Sequence, residues 1–228
     1  MKLICFTYAG GNSSFYDQLK KELFPDVELI AAEYSGHGKR HRSSFYSDFN
    51  ELAEDMLIQI KEYITESTPY AIMGYSMGSI SAVEILRKII ERQIPLPEHI
   101  FLAAHEPKTK PSLVHYNNGE LDEFVKTRTI QFGAVPDKLI ENKSFWRMYL
   151  PIYRADYSII GKYKFENLTL KTDIPATVFY SENDTPFEEM KNWKQYFEKI
   201  DFIKYTGKHF FINEHFSEMA QEIKKRLV

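Results

Sequence analysis

Short apolar runs alternate with segments of helical periodicity along most of this chain. The runs with the length and composition of buried strands are 2–8, 27–32, 70–74, 99–104, 175–180 and 201–205. The segments that space apolar side chains as helices do are 15–24, 49–64, 77–92, 187–198 and the stretch from about 213 onward. Strands that alternate with helices pair in parallel, and such a sheet is covered by helices on both faces. The alternation therefore predicts an α/β fold with a mostly parallel sheet.

Composition argues against several classes of protein. The chain has 228 residues and is 43% hydrophobic, which is enough for one domain with a sizeable core. A net charge of -3 argues against nucleic-acid binding, which usually needs a strongly basic face. Every apolar run falls short of the roughly 18 residues that a membrane helix needs. The one cysteine, Cys5, can form no internal disulfide, and a cytoplasmic location is expected.

The alternation stops between Glu106 and Lys171. This stretch has helical patterning and few strand signals, and its apolar side chains fall into two groups. The denser group consists of Phe145, Trp146, Met148, Tyr149, Leu150, Ile152 and Tyr153. We therefore predict a helical insertion over residues 106–171, within a single domain of residues 1–228. Its aromatic side chains are expected either to line a pocket or to pack the insertion against the sheet.

One apolar strand leads directly into a serine flanked by glycines. Residues 70–74 run into Gly74-Tyr75-Ser76-Met77-Gly78, and a helical segment follows at once. Gly-x-Ser-x-Gly recurs by chance in roughly one chain in ten of this length, so its setting carries the argument. Between a strand and a helix it is typical of the nucleophile elbow of an α/β-hydrolase, where the serine hydroxyl projects at the helix N-terminus. Ser76 is the predicted nucleophile, and the alternative is an ordinary tight turn.

A serine nucleophile needs a base and an acid, which follow it in the order acid, then base, in this fold. The strand at 175–180 is followed by a loop that contains Glu182 and Asp184, and the next strand by a loop that contains His209. Asp184 is the predicted acid because it ends its loop just before a helix. Its alternative role is to cap that helix, and Glu182 is the second choice of acid. His209 is the predicted base.

Two other histidines come too early in the chain to be the base. His37 lies in an early glycine-rich loop, and His105 follows the strand at 99–104. His105 is expected to be a structural histidine or a residue of the pocket.

The oxyanion that forms during acyl transfer needs two backbone N–H donors near the serine. The residue after the nucleophile, Met77, is expected to supply one. The loop Tyr8-Ala9-Gly10-Gly11 after the first strand is expected to supply the other, because paired glycines let the backbone turn tightly. Ala9 is the predicted second donor.

Several segments spread along the chain carry a family resemblance. They are Cys5-Phe6-Thr7-Tyr8-Ala9-Gly10-Gly11, Gly74-Tyr75-Ser76-Met77-Gly78-Ser79, Arg154-Ala155-Asp156 and Gly207-Lys208-His209-Phe210-Phe211. Together they resemble the type II thioesterases, which are stand-alone editing enzymes of non-ribosomal peptide and polyketide synthesis. Family members often have His and Gly at the positions of Tyr75 and Ser79. These two residues are therefore expected to reshape the pocket beside the nucleophile.

The resemblance implies an α/β-hydrolase fold in which residues 106–171 form a lid. It also implies a reaction, in which Ser76 attacks an acyl thioester on the phosphopantetheine arm of a carrier domain and water activated by His209 releases the acid. The implied partners are acyl- or peptidyl-carrier domains of synthases. The enzyme itself is expected to need no cofactor and no metal. It is also expected to be a monomer that binds neither nucleic acid nor membrane.

Other activities fit the same residues. An acyltransferase would pass the acyl group to an amine or alcohol, an esterase would act on small esters, and a binding module would use the scaffold without catalysis. A separate hypothesis concerns Lys39-Arg40-His41-Arg42, a basic run that would meet an acidic carrier domain or the pantetheine phosphate. The alternative is a solvated loop.

Overall fold

A six-stranded parallel sheet forms the centre of the molecule. The computed structural model describes residues 1–64, 68–110 and 118–228. The strands are β1 (Lys2–Phe6), β2 (Glu28–Ala31), β3 (Tyr70–Tyr75), β4 (His99–Ala103), β5 (Ala176–Ser181) and β6 (Ile200–Tyr205). Their order across the sheet is β2-β1-β3-β4-β5-β6, and every neighbouring pair is parallel. The predicted α/β class and the six predicted strands are confirmed.

The middle strands are buried along their whole length. Every residue of β3, β4 and β5 is buried, which is why these segments read as continuous apolar runs rather than as alternating ones. The pairing of Phe6 with Gly74 and of Tyr75 with Ala103 brings the carboxyl ends of β1, β3 and β4 to one edge. Loops that leave this edge therefore meet above the sheet, and this is where ligands bind in open α/β folds.

Helices cover both faces of the sheet. The helices of the described residues are α1 (Asp17–Leu23), α2 (Phe49–Ile60), α3 (Met77–Glu91), α4 (Asn118–Gln131), α5 (Lys143–Lys162), α6 (Phe187–Met190) and α7 (Phe216–Leu227), of which α4 and α5 belong to the insertion. Met56 of α2 and Ile80 of α3 belong to one apolar cluster, on one face. Leu19 of α1 and Ile223 of α7 belong to the cluster on the other face. The two separate clusters are those of a sheet packed between two layers of helix.

Two of the predicted helices are shorter than expected. The segment 187–198 contains only the short α6, and a 3₁₀ turn over Lys191–Gln195 follows it. There the Trp193 indole is fully buried and its Nε1 donates to the His105 carbonyl at 2.8 Å, a tertiary contact that outweighs helical propensity. The last helix begins at Phe216 rather than near Asn213, because a separate 3₁₀ turn occupies Phe211–Glu214.

The predicted insertion contains helices α4 and α5, which lie between β4 and β5 in the chain. They form a third apolar cluster around Val125, Trp146 and Tyr153, apart from the two clusters of the sheet. Residues 111–117 of the insertion lie outside the described residues, and its limits at 106 and 171 stay a prediction. Over residues 1–64, 68–110 and 118–228, no helix combines the length and apolar character needed to cross a membrane.

Candidate active site

Ser76 occupies a strained turn between β3 and α3. Its backbone has φ 54° and ψ −116°, a conformation that residues with a side chain rarely adopt. The Ser76 N–H donates to the Ala103 carbonyl of β4 at 2.8 Å, which fixes the turn to the neighbouring strand. The predicted elbow is therefore present, at the carboxyl edge of the sheet.

The glycines on either side of Ser76 are required by close backbone packing. A Cβ on Gly74 would overlap with the carbonyl of Gly78, and a Cβ on Gly78 would overlap with the carbonyl of Phe6 in β1. Backbone atoms cannot move aside as a flexible side chain can, so larger residues would push α3 away from the sheet. The two glycines of the motif thus have a steric cause.

His209 and Asp184 complete a hydrogen-bonded relay with Ser76. His209 Nε2 lies 2.9 Å from Ser76 Oγ, and His209 Nδ1 lies 2.9 and 3.0 Å from the two oxygens of Asp184. The side chains of His209 and Asp184 are only 8% and 6% exposed, so little water competes for these bonds. The structure brings together the three residues that the chain order predicted.

Asp184 and Glu182, the two carboxylates of the acid loop, have different partners. The N-cap of α6 is Pro186, which makes no side-chain cap, so Asp184 does not serve as the predicted helix cap. Glu182, the second choice of acid, instead accepts a hydrogen bond from the Phe187 N–H at 3.4 Å at the start of α6. Asp184 is therefore the carboxylate that orients His209.

Tyr75 and Ser79 do not reshape the pocket, and that expectation is wrong. Tyr75 is fully buried beneath the histidine loop, and its hydroxyl donates to the His209 carbonyl at 2.7 Å. Burial raises the pKa of Tyr75 well above its usual range, so the hydroxyl stays a neutral donor. Ser79 Oγ accepts from the Ala103 N–H at 3.2 Å and joins the elbow to β4. Both residues support the relay from below, because their side chains point into the core rather than into the cavity.

A cavity of about 500 Å³ opens above the relay. Ser76, Met77 and Ala9 line its floor together with His209. Helices α4 and α5 and the segment between them, which we call the lid, contribute much of the remaining wall, through Phe124, Arg128, Thr129, Phe132, Ala134, Tyr153, Tyr157, Ile160 and Gly161. Some of the aromatic side chains of the insertion therefore line a pocket, whereas others, such as Phe165, belong to the apolar cluster on one face of the sheet. Both expectations for these side chains are met in part.

Two residues of the lid, Phe132 and Asp156, contact the relay and the loops after β1 and β2, and the sequence alone indicates neither set of contacts. The Phe132 ring stacks on the His209 imidazole with centroids 4.1 Å apart, and the Arg128 guanidinium lies 4.4 Å from the centre of the Phe132 ring. Asp156 of α5 is buried, and it accepts hydrogen bonds from the Gly10 N–H and from His37. The Arg-Ala-Asp segment had signalled the family but not this contact.

His105 is a buried histidine at the cavity wall. Burial, the largest influence, lowers the pKa of His105 to about 4, so its imidazole is neutral near pH 7. Its neighbour Glu106 forms an ion pair with Lys110, and all three residues line the cavity. The pocket is therefore partly polar. Within the described chain, His, Cys, Asp and Glu side chains form no group of three or more that could hold a metal ion.

The side chains of the basic run at residues 39–42 differ in whether they have partners within the chain. Arg40 donates to the Asp55 carboxylate at 2.5 and 3.0 Å and to the Glu33 carbonyl at 3.0 Å. Burial raises the pKa of Asp55, but the bonds from Arg40 and Tyr46 outweigh it and leave that pKa lowered. The Arg40 guanidinium thus already forms hydrogen bonds within the chain, whereas the side chains of Lys39 and Arg42 are exposed.

Comparison with known proteins places this site in a family. The model of the thioesterase-domain family matches residues 1–227. Gramicidin S biosynthesis protein GrsT of Aneurinibacillus migulanus is 25% identical over 100% of this chain and 89% of its own length. The medium-chain S-acyl fatty acid synthase thioesterase of Rattus norvegicus is 28% identical over 94% of this chain and 84% of its own length.

Solved structures share the same architecture. The type II thioesterase BorB from the borrelidin biosynthetic cluster has a TM-score of 0.85 and 24% identity, over 100% of this chain and 92% of its own. ClbQ from the colibactin NRPS/PKS pathway has a TM-score of 0.86 and 23% identity, over 99% of this chain and 96% of its own. The predicted α/β-hydrolase fold is thereby confirmed. Because the family model spans nearly the whole sequence, this chain belongs to the thioesterase-domain family.

Proposed function

We propose that this chain is a stand-alone thioesterase that uses Ser76, His209 and Asp184 to hydrolyse acyl groups from the phosphopantetheine arm of carrier domains. The observation that carries the proposal is the unbroken hydrogen-bond relay between these three side chains, beneath a cavity walled by the lid. A relay in this order makes a serine hydroxyl nucleophilic, because the imidazole accepts its proton and the carboxylate stabilises the imidazolium that forms.

The reaction passes through an acyl-serine. Ser76 Oγ attacks the thioester carbonyl carbon, and its proton moves to His209 Nε2. Collapse of the tetrahedral intermediate breaks the C–S bond, and His209 gives its proton to the departing thiolate. Water then loses a proton to His209 and attacks the acyl-serine. The second collapse breaks the ester C–O bond, returns the proton to Ser76 Oγ and releases the carboxylic acid.

Two backbone amides are proposed to hold the oxyanion of each tetrahedral intermediate. Met77 is the first residue of α3, so its N–H has no acceptor inside the helix and lies at the positive end of the helix dipole. Ala9 follows β1 and lines the same cavity. Donors fixed in this way stabilise the charge that develops in the transition state more than they stabilise the ground-state carbonyl.

The names of the relatives support a carrier-bound thioester as the substrate. GrsT is named for gramicidin S biosynthesis, BorB is described as a type II thioesterase of a biosynthetic cluster, and the rat protein is named for S-acyl fatty acid synthase. The cavity has room for an acyl chain, with aromatic walls at Tyr153 and Tyr157 and charged groups at Glu106 and Arg128.

The remaining parts of the proposal concern the state of the enzyme. One chain provides all three residues of the relay, so the proposed reaction needs no second copy of the protein. It also needs no cofactor other than the phosphopantetheine that the substrate carries. Cys5 is fully buried and burial raises the pKa of its thiol, which fits an unreactive cysteine in a cytoplasmic protein.

Intact-mass analysis with acyl-loaded carrier domains tests the proposal. We expect a transient increase in the mass of the enzyme by one acyl group, together with release of the free carboxylic acid and a carrier with a free thiol. Ser76→Ala is expected to form neither the adduct nor the acid. Ser217→Ala removes an exposed hydroxyl of α7 that bonds to Glu22 of the neighbouring helix α1, and it should behave as the unaltered protein.

Three results would replace the proposal with another. A strong preference for p-nitrophenyl esters over carrier thioesters would identify a general esterase. Transfer of the acyl group to an added amine or alcohol, in preference to water, would identify an acyltransferase. Full turnover by folded Ser76→Ala would remove the serine mechanism altogether.

A further inference from the structure

Asp156 joins the lid to the loop that follows β1. Its Oδ2 atom accepts from the Gly10 N–H at 2.7 Å and lies 2.9 Å from His37 Nε2. The two side chains of this pair are 4% and 1% exposed, for Asp156 and His37 respectively. One carboxylate oxygen of α5 therefore bonds both to the loop after β1 and to the loop after β2, each of which is more than 100 residues away in the sequence.

The hydrogen-bond partners of His37 favour a proton on both of its ring nitrogens. Nε2 faces the Asp156 carboxylate, and Nδ1 lies 2.9 Å from the Ser35 carbonyl oxygen. Both partners are acceptors, so a neutral imidazole would direct a lone pair at one of them. The hydrogen-bond geometry therefore describes an imidazolium that is paired with a buried carboxylate.

The charges around this pair agree with that protonation state. Burial on its own would lower the pKa of His37, but the charge and hydrogen bond of Asp156, the Ser35 carbonyl and Glu33 together raise it. Tyr34 packs against the imidazole edge and stays neutral, because burial raises its pKa well above the usual range. The titratable groups that face His37 are thus Asp156 from α5 and Glu33 and Tyr34 from its own loop.

The bond to Gly10 acts on the segment beside the reacting groups. Gly10 follows Ala9, the proposed oxyanion donor, and the Tyr153 ring of α5 covers the space that a Gly10 side chain would occupy. The Gly11 N–H donates back to the Tyr8 carbonyl at 3.0 Å, so the loop is a tight turn whose orientation depends on few bonds. A shift of the Gly10 amide would turn the adjoining peptide groups with it, because each peptide unit is planar and rigid.

We infer that Asp156 and His37 are positioning residues, which hold the Tyr8–Gly11 loop so that the Ala9 N–H points at the oxyanion. The inference rests on the proposed function, since it assigns a task to the proposed oxyanion donor. Asp156 acts directly on Gly10, and the His37 imidazolium fixes the Asp156 carboxylate in the orientation that Gly10 needs. The lid thereby helps to order the catalytic floor as well as to wall the cavity.

Asp156→Ala tests the positioning role, with Asp122→Ala as the matched control. Asp122 also forms a lid ion pair, with Arg154, but that pair does not contact the Tyr8–Gly11 loop. With octanoyl-pantetheine as the thioester, Asp156→Ala is expected to lower kcat by about 10–100-fold and to change KM by less than about threefold. The rate at which a fluorophosphonate labels Ser76 should fall by a similar factor. Asp122→Ala should leave both rates within about twofold.

The pH profile supplies a readout that a purely structural role would not change. In the unaltered protein, kcat is expected to fall on the alkaline side as His37 loses its proton. His37→Arg keeps a permanent cation beside Asp156 and should remove this alkaline fall. His37→Gln, which is neutral like the deprotonated histidine, should lower kcat below the pH of the fall to the level that the unaltered protein has above it, and should also abolish the fall. An alkaline fall that persists in either folded variant overturns the role of His37.

The labelling experiment separates a failure of this inference from a failure of the proposed function. If folded Asp156→Ala is labelled as fast as the unaltered protein, the positioning role is wrong even where thioester hydrolysis is observed. If the unaltered protein is labelled at Ser76 but does not hydrolyse the thioester, the proposed function is wrong, and the labelling rates still decide the positioning role. Should Asp156→Ala fail to fold, Asp156→Leu, which is closer in size and also has no acceptor for the Gly10 N–H, gives the same decision together with the two His37 variants.

Discussion

The elbow around Ser76 and the lid helices α4 and α5 are held in place by different kinds of contact. At the elbow the contacts are between main-chain atoms. Gly78 lies directly against the Phe6 carbonyl, and the Ser76 N–H donates to the Ala103 carbonyl. These contacts leave no choice of side chain at the glycines, so the turn is recorded in a short local motif.

The lid, in contrast, meets the rest of the molecule through individual side chains. Asp156 bonds to Gly10, and the Tyr163 hydroxyl donates to Glu84 at 2.7 Å. Phe132 stacks on the base of the relay, His209. Each such contact depends on two residues that are distant in sequence. Main-chain contacts thus fix the elbow, whereas separate side-chain contacts hold the lid, and substitutions in the two regions should therefore affect different steps.

The largest expected effect belongs to the elbow. Ser76→Ala should lower kcat for thioester hydrolysis by about 10⁵–10⁶-fold, because the acyl-serine cannot form. The free energy of unfolding should change by less than about 1 kcal/mol, since the Ser76 backbone contacts remain. Activity assays paired with urea unfolding check both parts. An equal loss in the exposed control Ser217→Ala would contradict the assignment.

The next effect concerns the acid. Asp184→Asn should lower kcat by about 10⁴-fold, because an amide favours the wrong imidazole tautomer and cannot stabilise the imidazolium. The matched control is Glu182→Gln in the same loop. This substitution also removes a negative charge, but the hydrogen bond that it affects is an exposed one from the Phe187 N–H. Its kcat should stay within about twofold. A larger loss in Glu182→Gln than in Asp184→Asn would show that Glu182 is the acid.

Most of the fold could be predicted from the sequence, because the middle strands are buried throughout. Strands β3, β4 and β5 appear as continuous apolar runs, and helices α2 and α3 as amphipathic segments of ordinary length. The prediction was wrong where a tertiary contact overrides the local pattern. Around Trp193 the chain leaves the α-helix, and the indole forms a hydrogen bond to His105 that no local pattern records.

The three residues of the relay could also be predicted, but the lid contacts could not. A local motif indicated Ser76, and the chain order that the fold imposes then indicated Asp184 and His209. His37 and Asp156 lie 119 residues apart, and their pairing follows from how α5 packs over the loop after β1. His37 lies in the early glycine-rich loop, a position that excludes it as the base but carries no information about another role.

Two glycines with the same backbone conformation differ in what surrounds them. Gly10 and Gly133 both have positive φ, 79° and 77°, but a Cβ on Gly10 would overlap with the Tyr153 ring, whereas a Cβ on Gly133 would meet nothing within 4 Å. Gly133→Ala should therefore cost only the backbone strain, about 1 kcal/mol of unfolding free energy. Gly10→Ala adds displacement of Tyr153 from the loop, and kcat should fall by about tenfold or more. Equal kcat in the two variants would mean that the lid contact at Gly10 does not affect the reaction.

The smallest expected effect is a pH dependence of stability that comes from the pair of His37 and Asp156. Burial opposes the protonation of His37, but the Asp156 carboxylate and the Ser35 carbonyl outweigh it, so the folded pKa of His37 is raised above its unfolded value. A raised pKa means that the folded state binds the proton more tightly than the unfolded chain does. The pair therefore contributes fully below about pH 6.5, the usual value for histidine, and the contribution is lost as the pH rises through the folded pKa.

Urea unfolding across this range, in the unaltered protein and in Asp156→Asn, isolates the contribution, because other titrating groups are common to both. The unaltered protein should lose more unfolding free energy than Asp156→Asn does as the pH rises. Without the carboxylate, burial becomes the main influence on His37, and burial lowers its pKa, so the variant should lose little or even gain stability over the same range. Parallel curves would mean that His37 is neutral in the folded state, in which case the lid meets the loop after β1 through hydrogen bonds alone.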